Sequence, residues 1–309
     1  MSFQIRDNGE LWLYTGSSAD IVIPDGVASI GESAFKESIN LSSVIISNSV
    51  TDIGAYAFQE CPNLKSINIP DNIENIEEHA FMGCGFTFFE VPYSISVIQK
   101  GVFSGCSSLE AVRFHDEIES IMDYAFYSTG IKSVILPNGV RYIGDSCFGA
   151  CESLESIVIP EGVAHIGASC FKGCTKLKSI VIPEGVTYIG DSCFEGCCSL
   201  ETVTLPATLK SIGKNAFAYC KSLSSIDIPF SVNSIGTDAF YFCENLTSVN
   251  ISSAETHIGK DAFFLCNKLK CFTGLDSYFR SMKMCPYCGG TFKGLVTKKC
   301  RKCGKPKDY

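Results

Sequence analysis

One phrase of 23 residues returns along the chain, and a chain written this way buries its apolar residues only by stacking its copies. Residues 160–183 read Pro-Glu-Gly-Val-Ala-His-Ile-Gly-Ala-Ser-Cys-Phe-Lys-Gly-Cys-Thr-Lys-Leu-Lys-Ser-Ile-Val-Ile-Pro, and the copy starting at Pro183 repeats them almost letter for letter. Isoleucine falls at 30, 53, 76, 98, 121, 143, 166, 189, 212, 235 and 258. Phenylalanine falls at 35, 58, 81, 103, 126, 148, 171, 194, 217, 240 and 263. A fixed period of this kind marks a repeat architecture. One 23-residue unit cannot bury its own Ile and Phe, whereas eleven stacked units share one continuous core. Two units have 22 residues, and both losses fall in the same turn, at Gly85 and Gly130, where glycine is expected to close a tighter bend.

Each unit also carries Leu-x-x-Ile-x-Ile, as at Leu64, Ile67 and Ile69, and the last two apolar positions have strand spacing. The proline that often follows (Pro70, Pro160, Pro183, Pro229) has no N–H and ends the strand. At a strand spacing of about 4.8 Å, eleven units predict a body roughly 50 Å long.

With Leu-x-x-Ile-x-Ile-Pro followed by Val-x-x-Ile-Gly-x-x-Ala-Phe-x-x-Cys, residues 23–274 resemble the leucine-rich repeats of the BspA type. The resemblance implies a mainly β solenoid with a parallel sheet on its concave face and short irregular, β or 3-10 segments opposite. Members of that family serve as recognition surfaces, and secreted ones as adhesins to host or matrix proteins. The sequence departs from the pattern where Ser47 and His115 replace the proline and Glu255 replaces the valine of the eleventh unit. Solenoid ends need covers. Residues 1–22 are expected to supply one, since Phe3, Ile5, Leu11 and Leu13 flank Asn8-Gly9, a hairpin signal. Trp12 is expected to pack at this cover.

The residues on either side of the first strand isoleucine point outward. The first outward column is nearly constant: Ser43, Ser66, Ala111, Ser133, Ser156, Ser179, Thr202, Ser225 and Ser248. The second varies: Ile45, Asn68, Glu90, Arg113, Ile135, Val158, Val181, Thr204, Asp227 and Asn250. Ile135, Val158 and Val181 form an apolar stripe, with Arg113 on one side and Thr204 and Asp227 on the other. An apolar stripe with a polar rim is the anatomy of a protein-binding patch, although β-branched residues also simply suit a strand. The residue after each leucine alternates in sign (Glu110, Lys132, Glu155, Lys178, Glu201) and is expected to fix the stacking register.

Most of the 18 cysteines fall into two populations, and Cys147, Cys170 and Cys193 fill the position before the phenylalanine. Nine share one column (61, 84, 106, 151, 174, 197, 220, 243, 266), where two other units have Ser38 and Thr129. A column that accepts Cys, Ser or Thr selects a small side chain, so these read as buried, reduced thiols. Cys285 and Cys288, eleven residues, then Cys300 and Cys303 make two Cys-x-x-Cys pairs, each followed by glycine. That pattern predicts one structural zinc ion held by all four thiolates in a short zinc ribbon over residues 285–309, after a linker at 275–284.

The chain carries a net charge of −8, and residues 285–309, with seven Lys/Arg and one Asp, carry +6, which leaves −14 for residues 1–284. An acidic body repels nucleic acid and anionic membrane. The basic ribbon leaves nucleic-acid binding open for the C-terminal tail alone, beside docking onto an acidic protein surface. No apolar run approaches the roughly 20 residues of a membrane span, and the first twenty residues lack a signal-peptide pattern. His79, His115, His165 and His257 lie at scattered phases of the repeat, and no catalytic triad, phosphate loop or His-Glu-x-x-His motif occurs. The expectation is a non-enzymatic, cytoplasmic scaffold that binds a protein partner, with a surface adhesin as the alternative.

Overall fold

Alternating side chains in the Leu-x-x-Ile-x-Ile segment produce strands of three or four residues, and each pairs in parallel with a strand one unit away on at least one side. A computed structural model describes residues 2–253, 255–269 and the backbone of 271–273. Over that span the chain is a mainly β parallel solenoid without helix. Ser43–Ile45 pairs residue for residue with Ser66–Asn68, and Ser133–Ile135 with Ser156–Val158. A second parallel ladder runs through the Ile column, where Tyr142–Ile143 pairs with His165–Ile166. At the N-terminal end, Phe3–Ile5 and Glu10–Tyr14 form an antiparallel hairpin. Its Phe3 and Tyr14 rings lie 6.5 and 5.1 Å from Phe35 and cover the first ring of the stack. Trp12 sits on this hairpin under the guanidinium of Arg6, 5.6 Å away.

The segment around each phenylalanine is neither strand nor 3-10 turn among the described residues, yet it carries a hydrogen-bonded ladder of its own. In the unit of Phe171, the N–H groups of Ser169, Phe171 and Gly173 donate to the carbonyls of Asp191, Cys193 and Glu195 in the next unit, at 2.8–2.9 Å. In the unit of Phe58, Tyr56, Phe58 and Glu60 donate likewise to Glu78, Ala80 and Met82. Three parallel N–H groups can point the same way because the residue two before and the residue two after each phenylalanine have positive φ. Most are not glycine: the first such column includes Ser33, Tyr56, Asn215 and Asp238, the second Glu37, Ala150, Tyr219 and Phe242. The left-handed region costs an L-residue roughly 1–2 kcal/mol. The inter-unit bonds and the buried ring between them offset that cost.

The phenylalanines themselves are buried and stacked. Every consecutive pair from Phe35 to Phe263 has ring centroids 4.9–6.0 Å apart and planes within 19°. The two shortened units depart from expectation in their mechanism. Neither Gly85 nor Gly130 has positive φ. Glycine is required there because a Cβ at Gly85 would collide with the Pro62 carbonyl, and one at Gly130 with that of Ser107.

The cysteine column does more than fill space. Each of its nine thiols donates to the carbonyl of a phenylalanine in the preceding unit, for example Cys174 to Phe148 and Cys197 to Phe171, at 3.0–3.2 Å. Thr129 keeps the donor by bonding the Phe126 carbonyl at 3.0 Å. The column therefore selects a small side chain with a proton to give. Burial keeps that proton in place, pushing the Cys106 thiol up from 9.0 to about 12, and it does the same to Cys193, which stands outside the column just before Phe194. Cys61 moves the other way, because the neighbouring Cys84 thiol favours its charged form. All thirteen cysteines among the described residues are free.

Two outcomes follow from this core. Phe171→Ala should cost about 3–5 kcal/mol in denaturant unfolding, through the lost ring and the cavity left between Phe148 and Phe194. Because the raised thiols stay neutral when folded, their contribution is whole below about pH 9 and is lost as pH rises toward about 12. Urea midpoints should thus hold level below about pH 9 and fall above it. A midpoint unchanged up to about pH 12 would contradict the buried-thiol account.

Candidate functional site: the exposed strand face

Strand alternation turns one set of side chains into the core and leaves the other in solvent. Val134 is buried, between the exposed Ser133 and Ile135. The same in–out order holds at Ser156–Val158 and Ser179–Val181. Ile135 is 76% exposed, Val158 56% and Val181 59%. Arg113, Thr204 and Asp227 are exposed as well.

The structure brings the six candidate residues together in pairs rather than as one unbroken row. Ile135 lies directly beside Val158, and Val181 beside Thr204. Between the Val158 and Val181 strands the regular pairing is interrupted, and Lys178 N–H still reaches the Glu155 carbonyl at 3.4 Å. Asp227 pairs onward with Asn250. Arg113 turns away from the apolar stripe: its guanidinium lies 3.3 Å from the Glu90 carboxylate and 5.7 Å from the Phe88 ring centroid. Of the alternating charges, Glu110 and Lys132 close to 2.9 Å, both side chains being more than half exposed. An exposed pair of this kind contributes about 0–1 kcal/mol. Glu155, Lys178 and Glu201 form no ion pair among the described residues.

Two exposed apolar residues on this face are not among the sequence candidates. Val22, 61% exposed, pairs with Ile45 and makes a second apolar spot near the N-terminal end. Phe88, 47% exposed, stands in a column held mostly by Ser, Thr or Ala. Its signal is present but displaced: the loss at Gly85 shifts the unit by one, so Phe86, Phe88 and Phe89 occupy the places of Leu64, Ser66 and Ile67.

The histidines have structural surroundings. His79, His115 and His165 stack on Tyr56, Tyr93 and Tyr142 of the preceding unit, at 4.7–5.1 Å. No cluster of metal-ligating side chains occurs among the described residues. Cys285, Cys288, Cys300 and Cys303, with the expected linker and ribbon, lie outside the described residues. No helix among the described residues is long and apolar enough to cross a membrane.

Comparison with known proteins gives a consistent picture. A model described as a BspA type leucine rich repeat region matches in six copies, over residues 10–85, 74–197 and 141–270. A leucine-rich repeat protein from Bacteroides ovatus is 26% identical, with TM-score 0.53 over 89% of this chain and 94% of its own. A leucine rich cell surface protein from Faecalibacterium prausnitzii is also 26% identical, with TM-score 0.51 over 95% of this chain and 96% of its own. The pneumococcal vaccine antigen PcpA, 19% identical with TM-score 0.55 over 88% and 89%, shares the fold. No curated protein matches.

Proposed function

This chain belongs to the BspA-type leucine-rich repeat family, and from that premise we propose that it is a non-enzymatic scaffold that recognises a protein partner through its strand face. The observation that carries the reading is the exposure of Ile135, Val158 and Val181 beside polar Thr204 and Asp227 on a regular parallel framework. Three β-branched side chains more than half in water contribute nothing to the core. Covered by a partner, they form the apolar centre of an interface with a hydroxyl and a carboxylate at its rim.

The free thiols of the described residues support a reducing, cytoplasmic setting. A second reading, display at the cell surface, draws on the Faecalibacterium relative, a cell surface protein by its own description. Fractionation of the native source separates the two.

We further propose that Cys285, Cys288, Cys300 and Cys303 hold one zinc ion. The donor set fits: four thiolates in two Cys-x-x-Cys pairs suit a tetrahedral ion and leave no open position for catalysis. Zinc would there act as a structural tie.

Val158→Asp should leave the unfolding midpoint within about 0.5 kcal/mol of wild type and weaken capture of the partner at least tenfold in parallel pull-downs. Equal capture by both proteins would move the interface off this stripe. Metal analysis of the full chain should find about one zinc per molecule, reduced well below that by Cys288→Ser. Absence of zinc from protein purified without chelator would remove the ribbon from the account.

A further inference from the structure

Regular strand pairing on this face is interrupted at four levels among the described residues, and at one of them neither a bridging N–H nor the Ile ladder beneath ties the two units. Between Arg113 and Ile135, and between Val158 and Val181, an N–H just before the strand still bridges the units: Lys132 reaches the Glu110 carbonyl and Lys178 that of Glu155, both at 3.4 Å. Between Thr204 and Asp227 the Ile ladder beneath stays paired, Ser211–Ile212 with Ser234–Ile235, and the opening is only about 210 Å³. Between Ser66–Asn68 and Phe88–Glu90 neither tie is present. The Ile ladder is interrupted at the same level, between Asn75–Ile76 and Val97–Ile98. Ile69 N–H makes no bond to Glu90, nor Thr87 N–H to Lys65. In the flanking units those positions are bonded: Ile46 N–H to the Asn68 carbonyl at 3.3 Å, Val91 N–H to Arg113 at 3.0 Å, and Glu110 N–H to Thr87 at 2.9 Å. The phenylalanine ladder stays closed here, with His79, Phe81 and Gly83 bonded to Lys100, Val102 and Ser104.

The cause lies in the core. Phe86 and Phe89, where other units have Leu and Ile or Val, pack with Phe81 and Phe103 into a four-ring cluster with centroids 4.6–6.0 Å apart. These larger side chains wedge the strands apart and open a cleft of about 610 Å³ between Lys65–Ile69 and Phe86–Tyr93.

We infer that this cleft is a binding site for an extended peptide segment, which pairs by its main chain with the two facing strand edges. Backbone groups left without strand partners on both walls call for a ligand that offers N–H and C=O in alternation at strand spacing. Only a peptide backbone does so on both sides at once. Phe88, half exposed among serines, gives one outward side chain of the peptide an aromatic surface. For a segment that runs parallel to the walls, the charges set which end is acidic and which basic. Lys65 precedes the first strand, Asp71 follows it, and neither has an ion-pair partner among the described residues. A segment running parallel to the walls therefore fits best with an acidic residue at its start, alternating β-branched residues in its middle and a basic residue at its end. This site is separate from the Ile135–Val158 stripe and does not rest on it.

The test uses the full chain and a fluorescein-labelled probe, Glu-Thr-Val-Thr-Val-Thr-Lys, with blocked ends. Fluorescence anisotropy should show saturable binding. N-methylation of the central amides or exchange of the terminal charges should weaken it at least tenfold. Phe88→Ser, which restores the column's usual residue, should do the same without loss of fold by circular dichroism, while Val158→Asp should leave probe binding unchanged. Hydrogen exchange adds a reading that needs no variant. The amides of Ile69 and Thr87 should exchange quickly in the free protein and slow on adding the probe, whereas Ile46 and Glu110 stay slow throughout. Equal binding of the N-methylated probe, binding of cellohexaose in place of the peptide, or Ile69 and Thr87 amides as protected as Ile46 and Glu110 before any addition would overturn the inference.

Discussion

Everything in this molecule depends on like residues meeting from one unit to the next. The buried phenylalanine is the clearest case: its ring lies on the ring of the preceding unit, and its N–H, with those two residues either side, bonds to the next unit's carbonyls. Slipping by one residue would break ring contact and ladder together. That coupling explains why the units hold to 22 or 23 residues, and why a residue is lost only where a turn has glycine pressed against the carbonyl of the unit before. It also explains how left-handed backbone persists at residues such as Tyr219 and Phe242, which would avoid it in isolation.

The thiol column belongs to the same scheme. A phenylalanine carbonyl such as that of Phe171 already accepts the Cys174 N–H within its own unit, and the Cys197 thiol adds a second bond from the next. Alanine would fit the space and leave that second lone pair unmet, while serine or threonine keeps a donor. With stacking assigned to the phenylalanine and isoleucine columns, the outward strand positions are free of structural duty. Function is therefore sought among Ile135, Val158, Val181 and Phe88, where an exposed apolar side chain lies outside the core.

Much of this was legible in the letters. The period, the Ile and Phe columns and the alternation at Ser156-Ile157-Val158 follow from spacing alone. The left-handed residues were not legible, because Ser169, Glu60 and Tyr56 carry no glycine signal; their conformation is imposed by neighbours 22 or 23 residues away. The thiol donors were hidden for a related reason, since a small buried cysteine looks the same whether or not its proton is used. Phe88 was obscured by the one-residue shift at Gly85. The cleft beside it is a collective effect of Phe86 and Phe89 on strand spacing, and no local pattern announces it. The zinc ligands remain a reading of the sequence.

The most direct measurement of the central claim is a set of proton–proton Overhauser contacts among the phenylalanine rings in selectively labelled protein. In-register stacking predicts contacts between Phe171 and Phe194 and between Phe194 and Phe217, with none between Phe171 and Phe217 two units apart. Rings of adjacent units without contact, or Phe171 touching Phe217 directly, would contradict the stacked arrangement.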